Sequence, residues 1–545
     1  MTMNRRKIGS LAALAIIVLL SLLMNVRYLN DYPAYVHAWA MADRYALAVG
    51  YVDNGLDLLH PQTSVYNKQF PDDWFKASDS PITAVDCPLH EYVIAVFMTL
   101  LGSTAPWIFR LWTLIVAMAG MFFLFLISRL LTDDWFKSML VVLVTMTAPA
   151  FAYYYAAFIP TVPSLSCCIA GLYCYLLYYK GRPMRFFVCA MVLMTVGVLM
   201  RTSFAVMMVA VLAFEFLRMC RRETAVGYNW LVVLVCLAVY GAYWYWNGLL
   251  RQRYGSLFLS YLLPPRQMSD FSDIYAYMKG NWKYHYFQRI HYWIVAFSFM
   301  LMTIYLCVRR RPVVAASKDA AAHLSLWWLV AIWFFGVLLF FVAMLRQYHD
   351  HDYYFLDSFF LPILFAFVLA LAVLPSVRSR VGGMVSFSLL IALTVYCMHG
   401  VSSNHATRCP ADDRAYQVVQ RFMGGDRLMD DAGIAPDAKV LVLYSYPQQT
   451  PLLLLHRHGY IVMDITPSRA PAALTFGADA IVIEKEMVRQ RYDEYSDVLQ
   501  RITPFSANEH LVVCRLSDTV THHSADEFFA CLSDENPCAV QVGVE

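Results

Sequence analysis

The chain has 545 residues, of which 60% are hydrophobic and 15% charged, and its formal net charge is +3. Ordinary soluble domains are about 45–50% apolar and about 25% charged. The composition therefore excludes a disordered chain, a nucleic-acid binder driven by net charge and a wholly soluble enzyme, and leaves an α-helical polytopic membrane protein.

A bilayer core about 30 Å thick takes about 20 apolar residues per helix. Eleven stretches read as spans: 8–24, 107–129, 138–158, 162–179, 186–201, 203–219, 229–249, 292–308, 324–344, 357–375 and 382–402. The first follows Arg5, Arg6 and Lys7, but no small-residue cleavage site comes after it, so it reads as a retained span. Basic clusters mark alternate connections: Arg5–Lys7, Arg129 with Lys137, Lys180 with Arg182 and Arg185, Arg218 with Arg221 and Arg222, Arg309–Arg311, and Arg378 with Arg380. The Lys/Arg bias puts the N-terminus in the cytoplasm. With an odd number of spans, the C-terminal domain and two long loops, 25–106 and 250–291, then lie outside. The chain divides into a transmembrane part, 1–402, and a soluble extracytoplasmic part, 403–545.

The first outer loop is the most informative segment. Val36–Val49 is apolar at helical spacing and reads as an amphipathic helix on the membrane surface, with Asp43 and Arg44 at its middle. Asp86 precedes Pro88 and a second amphipathic stretch, His90–Leu101. A carboxylate at an interface can act as a general base or hold a metal. The plainer alternatives are a solvated helix face for Asp43 and an N-cap for Asp86.

Arg201 stands at the outer end of a span, where it can snorkel or reach a phosphate. The loop 250–291 interleaves Arg251, Arg253, Arg266, Lys279 and Lys283 with Tyr and Trp. Such a mixture suits an anionic sugar–lipid headgroup, and it also suits an ordinary interfacial belt. Before the tenth span stand Arg346 and then the segment Tyr348–Asp357, which includes Tyr348, His349, His351 and Tyr353 and holds three acids, two histidines and three tyrosines. A phosphate or sugar contact fits these residues better than a metal, since no strict ligand pattern is met.

After Ser402 the stretches 439–445, 460–465, 479–485 and 510–516 read as buried strands separated by helical segments, and so as a small α/β domain. The thirteen cysteines form no CxxC pair. Cys531 and Cys538 can pair if the tail faces an oxidising compartment. His522, His523 and Asp526 read as a solvated surface.

The order of features resembles the GT-C fold glycosyltransferases, in the branch of the protein O-mannosyltransferases and the bacterial lipid A aminoarabinose transferase. The resemblance rests on Trp39-Ala40-Met41-Ala42-Asp43, on Gly55 to Pro61, on Asp86-Cys87-Pro88-Leu89, on the helix–Gly–Arg pattern of 96–112, and on the segments 153–165 and 348–362. It covers about residues 1–400. It implies an enzyme that transfers a hexosyl or pentosyl group, with inversion, from a polyprenyl-phosphate carrier to an acceptor lipid, glycan or protein on the outer face of the plasma (inner) membrane. Carried over, Asp43 is the general base, and Asp86 orients the acceptor or a divalent metal, for which Asp43 and Asp86 are the weak candidates. Arg201, Arg346 and His349 are candidates for the carrier phosphate, and Arg44, Tyr348, His351 and Tyr353 for wider phosphate and sugar contacts. Two positions depart from the pattern. Thr161 stands where many relatives have an acid, and Ala40 where relatives often have a basic residue that Arg44 replaces. No nucleotide-binding motif opens a helix, which agrees with a lipid-linked donor. The alternative is a transporter or flippase of a lipid-linked glycan. That class places ionisable groups inside its spans, whereas these acids sit in loops.

Overall fold

The computed structural model describes residues 2–67, 79–223, 227, 229–259, 261–309, 318–376, 379–517, 519–520 and 522–532. The chain forms two compact units. One comprises residues 1–30, 109–244 and 260–407, and the other comprises 31–108, 245–259 and 408–545.

The first unit is helical. Among the described residues, eight helices are long and apolar enough to cross a membrane: Lys7–Tyr28, Pro106–Thr132, Thr161–Tyr179, Thr202–Cys220, Asn229–Tyr254, Arg289–Val308, Leu324–Ala343 and Arg380–Arg408. Their outward faces are apolar, with Leu234, Trp244 and Leu389 all more than half exposed. That pattern suits hydrocarbon rather than water as the surrounding medium. The other three expected spans coincide with shorter apolar helices, Trp135–Met146, Arg185–Met200 and Phe360–Val373. These have 12, 16 and 14 residues. At about 1.5 Å per residue each falls short of a hydrocarbon core about 30 Å thick. The first is cut short at Thr147, and Pro149 then opens a separate helix, Pro149–Tyr154. A proline inside a helix would leave a carbonyl without its donor, so the chain restarts there instead.

The second unit is built on a five-stranded sheet of order β2-β1-β3-β5-β4. Its strands are β1 (Lys439–Ser445), β2 (His458–Met463), β3 (Ala480–Glu484), β4 (Ile502–Ala507) and β5 (Leu511–Leu516). β1 pairs in parallel with β2 and β3, while β5 is antiparallel to β3 and β4. Successive residues of a strand point to opposite faces. Leu441, Leu443, Ile481 and Ile483 accordingly enter one apolar layer, and Val440, Val442, Ala480 and Val482 enter the other. Four strands match the alternation read from sequence. β4 adds a fifth, at the sheet edge where its Pro504 is tolerated. His522 differs from expectation. It is 1% exposed, its ring bonded to the Tyr492 hydroxyl at 2.6 Å and the Ile502 carbonyl at 2.8 Å, so it is part of the core. Cys531 is disulfide-bonded; Cys538, its expected partner, lies outside the described residues.

Residues 31–106 of the first long loop belong to this same unit. Val65 packs into the layer formed by Val440 and Val442. Gly459 of β2 accepts from the Tyr66 amide at 2.7 Å and donates to the Ser64 carbonyl at 3.1 Å. The loop's helices, Ala38–Asp53 and Leu89–Leu101, pack through Tyr51 on Tyr92, ring centroids 5.4 Å apart. On the first of these helices, a Cβ at Gly50 would stand 2.2 Å from the backbone oxygen of Gln62. Alanine is normally the better helix former by about 1 kcal/mol, but here the clash is with backbone. Gly50→Ala is therefore expected to cost about 1–3 kcal/mol, seen as a lower melting temperature in detergent; an unchanged or raised value would contradict this packing.

Candidate active site

Asp43 lies in the middle of the helix Ala38–Asp53, and its partner comes from the soluble tail. The Gln448 amide Nε2 donates to Asp43 Oδ1 at 2.9 Å, and both residues are buried, Asp43 at 5% exposure and Gln448 at 0%. The solvated-face reading of Asp43 is thus corrected. Burial pushes the Asp43 carboxyl up to about 7; Gln448, Gln449, Arg44 and Trp39 oppose that rise by favouring the charged form.

Arg44, the next residue, turns to the helix Leu89–Leu101. Its guanidinium is 3.3 Å from Glu91 Oε1 and 3.9 Å from Asp86 Oδ2, and it lies over the Phe258 ring at 5.1 Å. Arg44 is 7% exposed and Glu91 is fully buried. Burial raises the Glu91 carboxyl, an effect that Arg44 opposes. Burial and the Arg44 charge lower the neighbouring His90 to about 3 and keep it neutral. The N-cap reading of Asp86 is corrected too. The helix starts at Leu89 behind Pro88 with no side-chain cap, and the Asp86 side chain stays 36% exposed beside Arg44. Arg251 adds a second positive charge near Asp86. The loop acids thus have separate partners, Gln448 for Asp43 and Arg44 for Asp86.

The other predicted residues lie in the helical unit. Arg201 Nε donates to Asp357 Oδ2 at 2.6 Å, and its guanidinium sits 5.0 Å from the Tyr353 ring and 5.4 Å from the Tyr354 ring. Asp357 neutralises it, which removes the net charge that a phosphate contact would draw on. Tyr348 is fully buried, its hydroxyl donating to Ser358 Oγ at 2.7 Å, and Tyr353 is 6% exposed beneath Arg201. Both rings are packed within the helical unit. His349 is open: its ring stacks on Tyr277 at 3.8 Å and bonds the Asp350 carboxylate. His351 lies edge-on to Tyr353, 5.3 Å between centroids. The Arg346 backbone N–H donates to the Leu263 carbonyl at 3.2 Å, while its side-chain charge acts on Asp270. Among the described residues no group of three or more His, Cys, Asp or Glu side chains is placed to hold a metal ion. Asp43 and Asp86 are accordingly not paired with a third ligand.

Sequence reasoning missed Glu91, Gln448 and Asp357 as partners. Glu91 had a signal, as an acid within an apolar helical stretch. Gln448 had none, because its contact spans more than 400 residues of chain.

A profile of the family described as dolichyl-phosphate-mannose-protein mannosyltransferase matches residues 80–246. No curated protein matches the chain by sequence. Among solved structures, ArnT from Cupriavidus metallidurans bound to undecaprenyl phosphate aligns at a TM-score of 0.57 and 12% identity, over 92% of this chain and 97% of that one. Its apo form aligns at 0.57 and 12%, over 94% and 98%. The oligosaccharyltransferase AglB from Archaeoglobus fulgidus aligns at 0.48 and 13%, over 92% and 73%. The chain has the GT-C fold. In the GT-C chain described here, the first outer loop supplies Asp43, Arg44, Asp86 and Glu91.

Proposed function

We propose that this GT-C protein is a membrane glycosyltransferase that moves a sugar from a polyprenyl-phosphate carrier to an acceptor hydroxyl, with Asp43 as general base. The supporting observation is a buried carboxylate, its pKa pushed up by burial to about 7, next to an Arg44–Glu91–Asp86 array in a chain with the GT-C fold. A general base works best when its pKa lies near the working pH. Asp43 takes the proton of the acceptor O–H. The acceptor oxygen attacks the anomeric carbon as the bond from that carbon to the phosphate oxygen breaks. The electron pair leaves with the polyprenyl phosphate, and attack opposite the leaving group inverts the centre. Asp86, open to solvent and held by Arg44, orients the acceptor. The neighbour solved with undecaprenyl phosphate supports a carrier of that kind.

The cytoplasmic cluster pattern supports an extracytoplasmic tail; alkaline phosphatase fused after Glu545 should then be active in intact cells, and an inactive fusion would reverse the orientation. Carrier binding is tested by melting the purified protein with undecaprenyl phosphate or with undecaprenol. A ligand at 100 times its Kd adds about 2.7 kcal/mol of stability. The phosphate form should raise the melting temperature well above the effect of the alcohol. Equal shifts would leave no phosphate site and would sink the donor assignment.

A further inference from the structure

We infer that Gln448 is a positioning residue for Asp43, so that the turn after β1 makes the soluble tail a working part of the reaction centre. The inference rests on the reading of Asp43 as base. It stands on geometry within one compact unit. The Gln448 amide reaches Asp43 at 2.9 Å, with neither residue more than 5% exposed. The same turn is fixed on both sides of that contact. Trp39, one helical turn before Asp43, meets the Tyr446 ring edge-on at 6.3 Å, and the Arg414 guanidinium lies over the Tyr446 ring at 4.6 Å.

The sheet explains why this turn is available. β1 lies between β2 and β3, all three parallel, and the chain crosses to opposite sides of β1 for β2 and β3. In open α/β sheets the groups that serve a site collect beyond the carboxyl ends of strands at such a reversal. Gln448 follows the carboxyl end of β1. Ser445 and Glu484, at the ends of β1 and β3, are bonded at 3.2 Å, and Arg421 donates to Glu484 at 2.6 Å, which holds the two strand ends together. Tyr444 has φ 57 where the β1 register shifts. A bulky residue in the left-handed region is strained and persists only where surrounding packing imposes it; here the Tyr444 ring is buried on Tyr495, 4.1 Å away.

An amide donor favours the ionised form of the carboxylate it touches. The other groups acting on Asp43 are Gln449, Arg44 and Trp39, which favour the charge, and the Tyr446 hydroxyl, whose own pKa Asp43 raises. Loss of the Gln448 donor should therefore make Asp43 harder to ionise without touching Arg44.

The test is the pH–rate profile of sugar transfer by the full-length protein, with folding checked by melting. Gln448→Met keeps the shape and removes the donor. Its acidic limb should move up by about one pH unit, with kcat at pH 7 about fivefold lower and the donor KM unchanged. If the Met form does not fold, Gln448→Asn, which keeps a shorter amide, should move the limb in the same direction. An unmoved limb in the folded variant overturns the inference, as does a KM effect alone. Asp43→Asn is run beside them. If it retains full activity, the reading of Asp43 as base has failed; if it is inactive while the Gln448 limb is unmoved, only the role of Gln448 has failed.

Discussion

Asp43→Asn is expected to lose transfer by about 10²–10⁴-fold and, at pH 8, to melt at a higher temperature than the wild type. The two effects have one cause. Burial raises the Asp43 carboxyl from 3.8 to about 7, so the fold holds a proton there that the unfolded chain has released. Stability falls as pH rises wherever the native state binds more protons than the unfolded one. The sign here is that this stabilisation is complete below about pH 4 and lost as pH climbs through about 7. Asn carries no charge at any pH and escapes the loss. The gain over wild type should grow between about pH 4 and 7 and reach on the order of 2–4 kcal/mol above that window. Wild-type activity should follow the opposite course, climbing with pH through about 7 as the carboxylate becomes free to accept a proton. An Asn variant that transfers at the wild-type rate would make Asp43 a structural group and leave Asp86, the open acid of the loop, as the base. An Asn variant less stable than wild type at pH 8 would contradict the burial argument.

Arg201→Leu is expected to be among the most destabilising single changes in the helical unit. Asp357 is 4% exposed and its ionic partner is Arg201 at 2.6 Å. Removing one member of a buried pair leaves an uncompensated charge and costs about 3–5 kcal/mol, whereas replacing both by apolar side chains of similar volume is often close to neutral. The double variant Arg201→Leu/Asp357→Leu should therefore recover most of the stability lost by the single one. The comparison is made by thermal unfolding in detergent. A single variant as stable as wild type would show that the pair contributes nothing to the fold, and would return Arg201 to the phosphate-binding residues.

Eight of the eleven apolar stretches coincide with helices long and apolar enough to cross a membrane, because lipid demands a continuous run of hydrophobic residues, and the other three coincide with shorter helices. The lengths were less legible, since Thr147-Ala148-Pro149 breaks one run without leaving a polar gap in it. Four strands of the tail showed as apolar bursts, while β4, with Pro504 and alternating exposure, did not. In the site, helical spacing located Asp43 and Asp86, but spacing gives no partner. Their contacts, Asp43 with Gln448 and Asp86 with Arg44, depend on which faces meet after folding. The same holds for Arg201, whose buried acid stands 156 residues away.

The central claim is transfer from a lipid-linked donor, and the most direct measurement is a single reconstitution. The purified protein is placed in liposomes with a radiolabelled sugar on polyprenyl phosphate and a detergent extract of envelope acceptors. The products are then separated into water-soluble, lipid and protein fractions. Label should leave the donor, appear on an acceptor and be matched by free polyprenyl phosphate, at a rate that Asp43→Asn abolishes. Movement of intact donor between leaflets, with no label transferred and no polyprenyl phosphate released, would contradict it and establish a flippase instead.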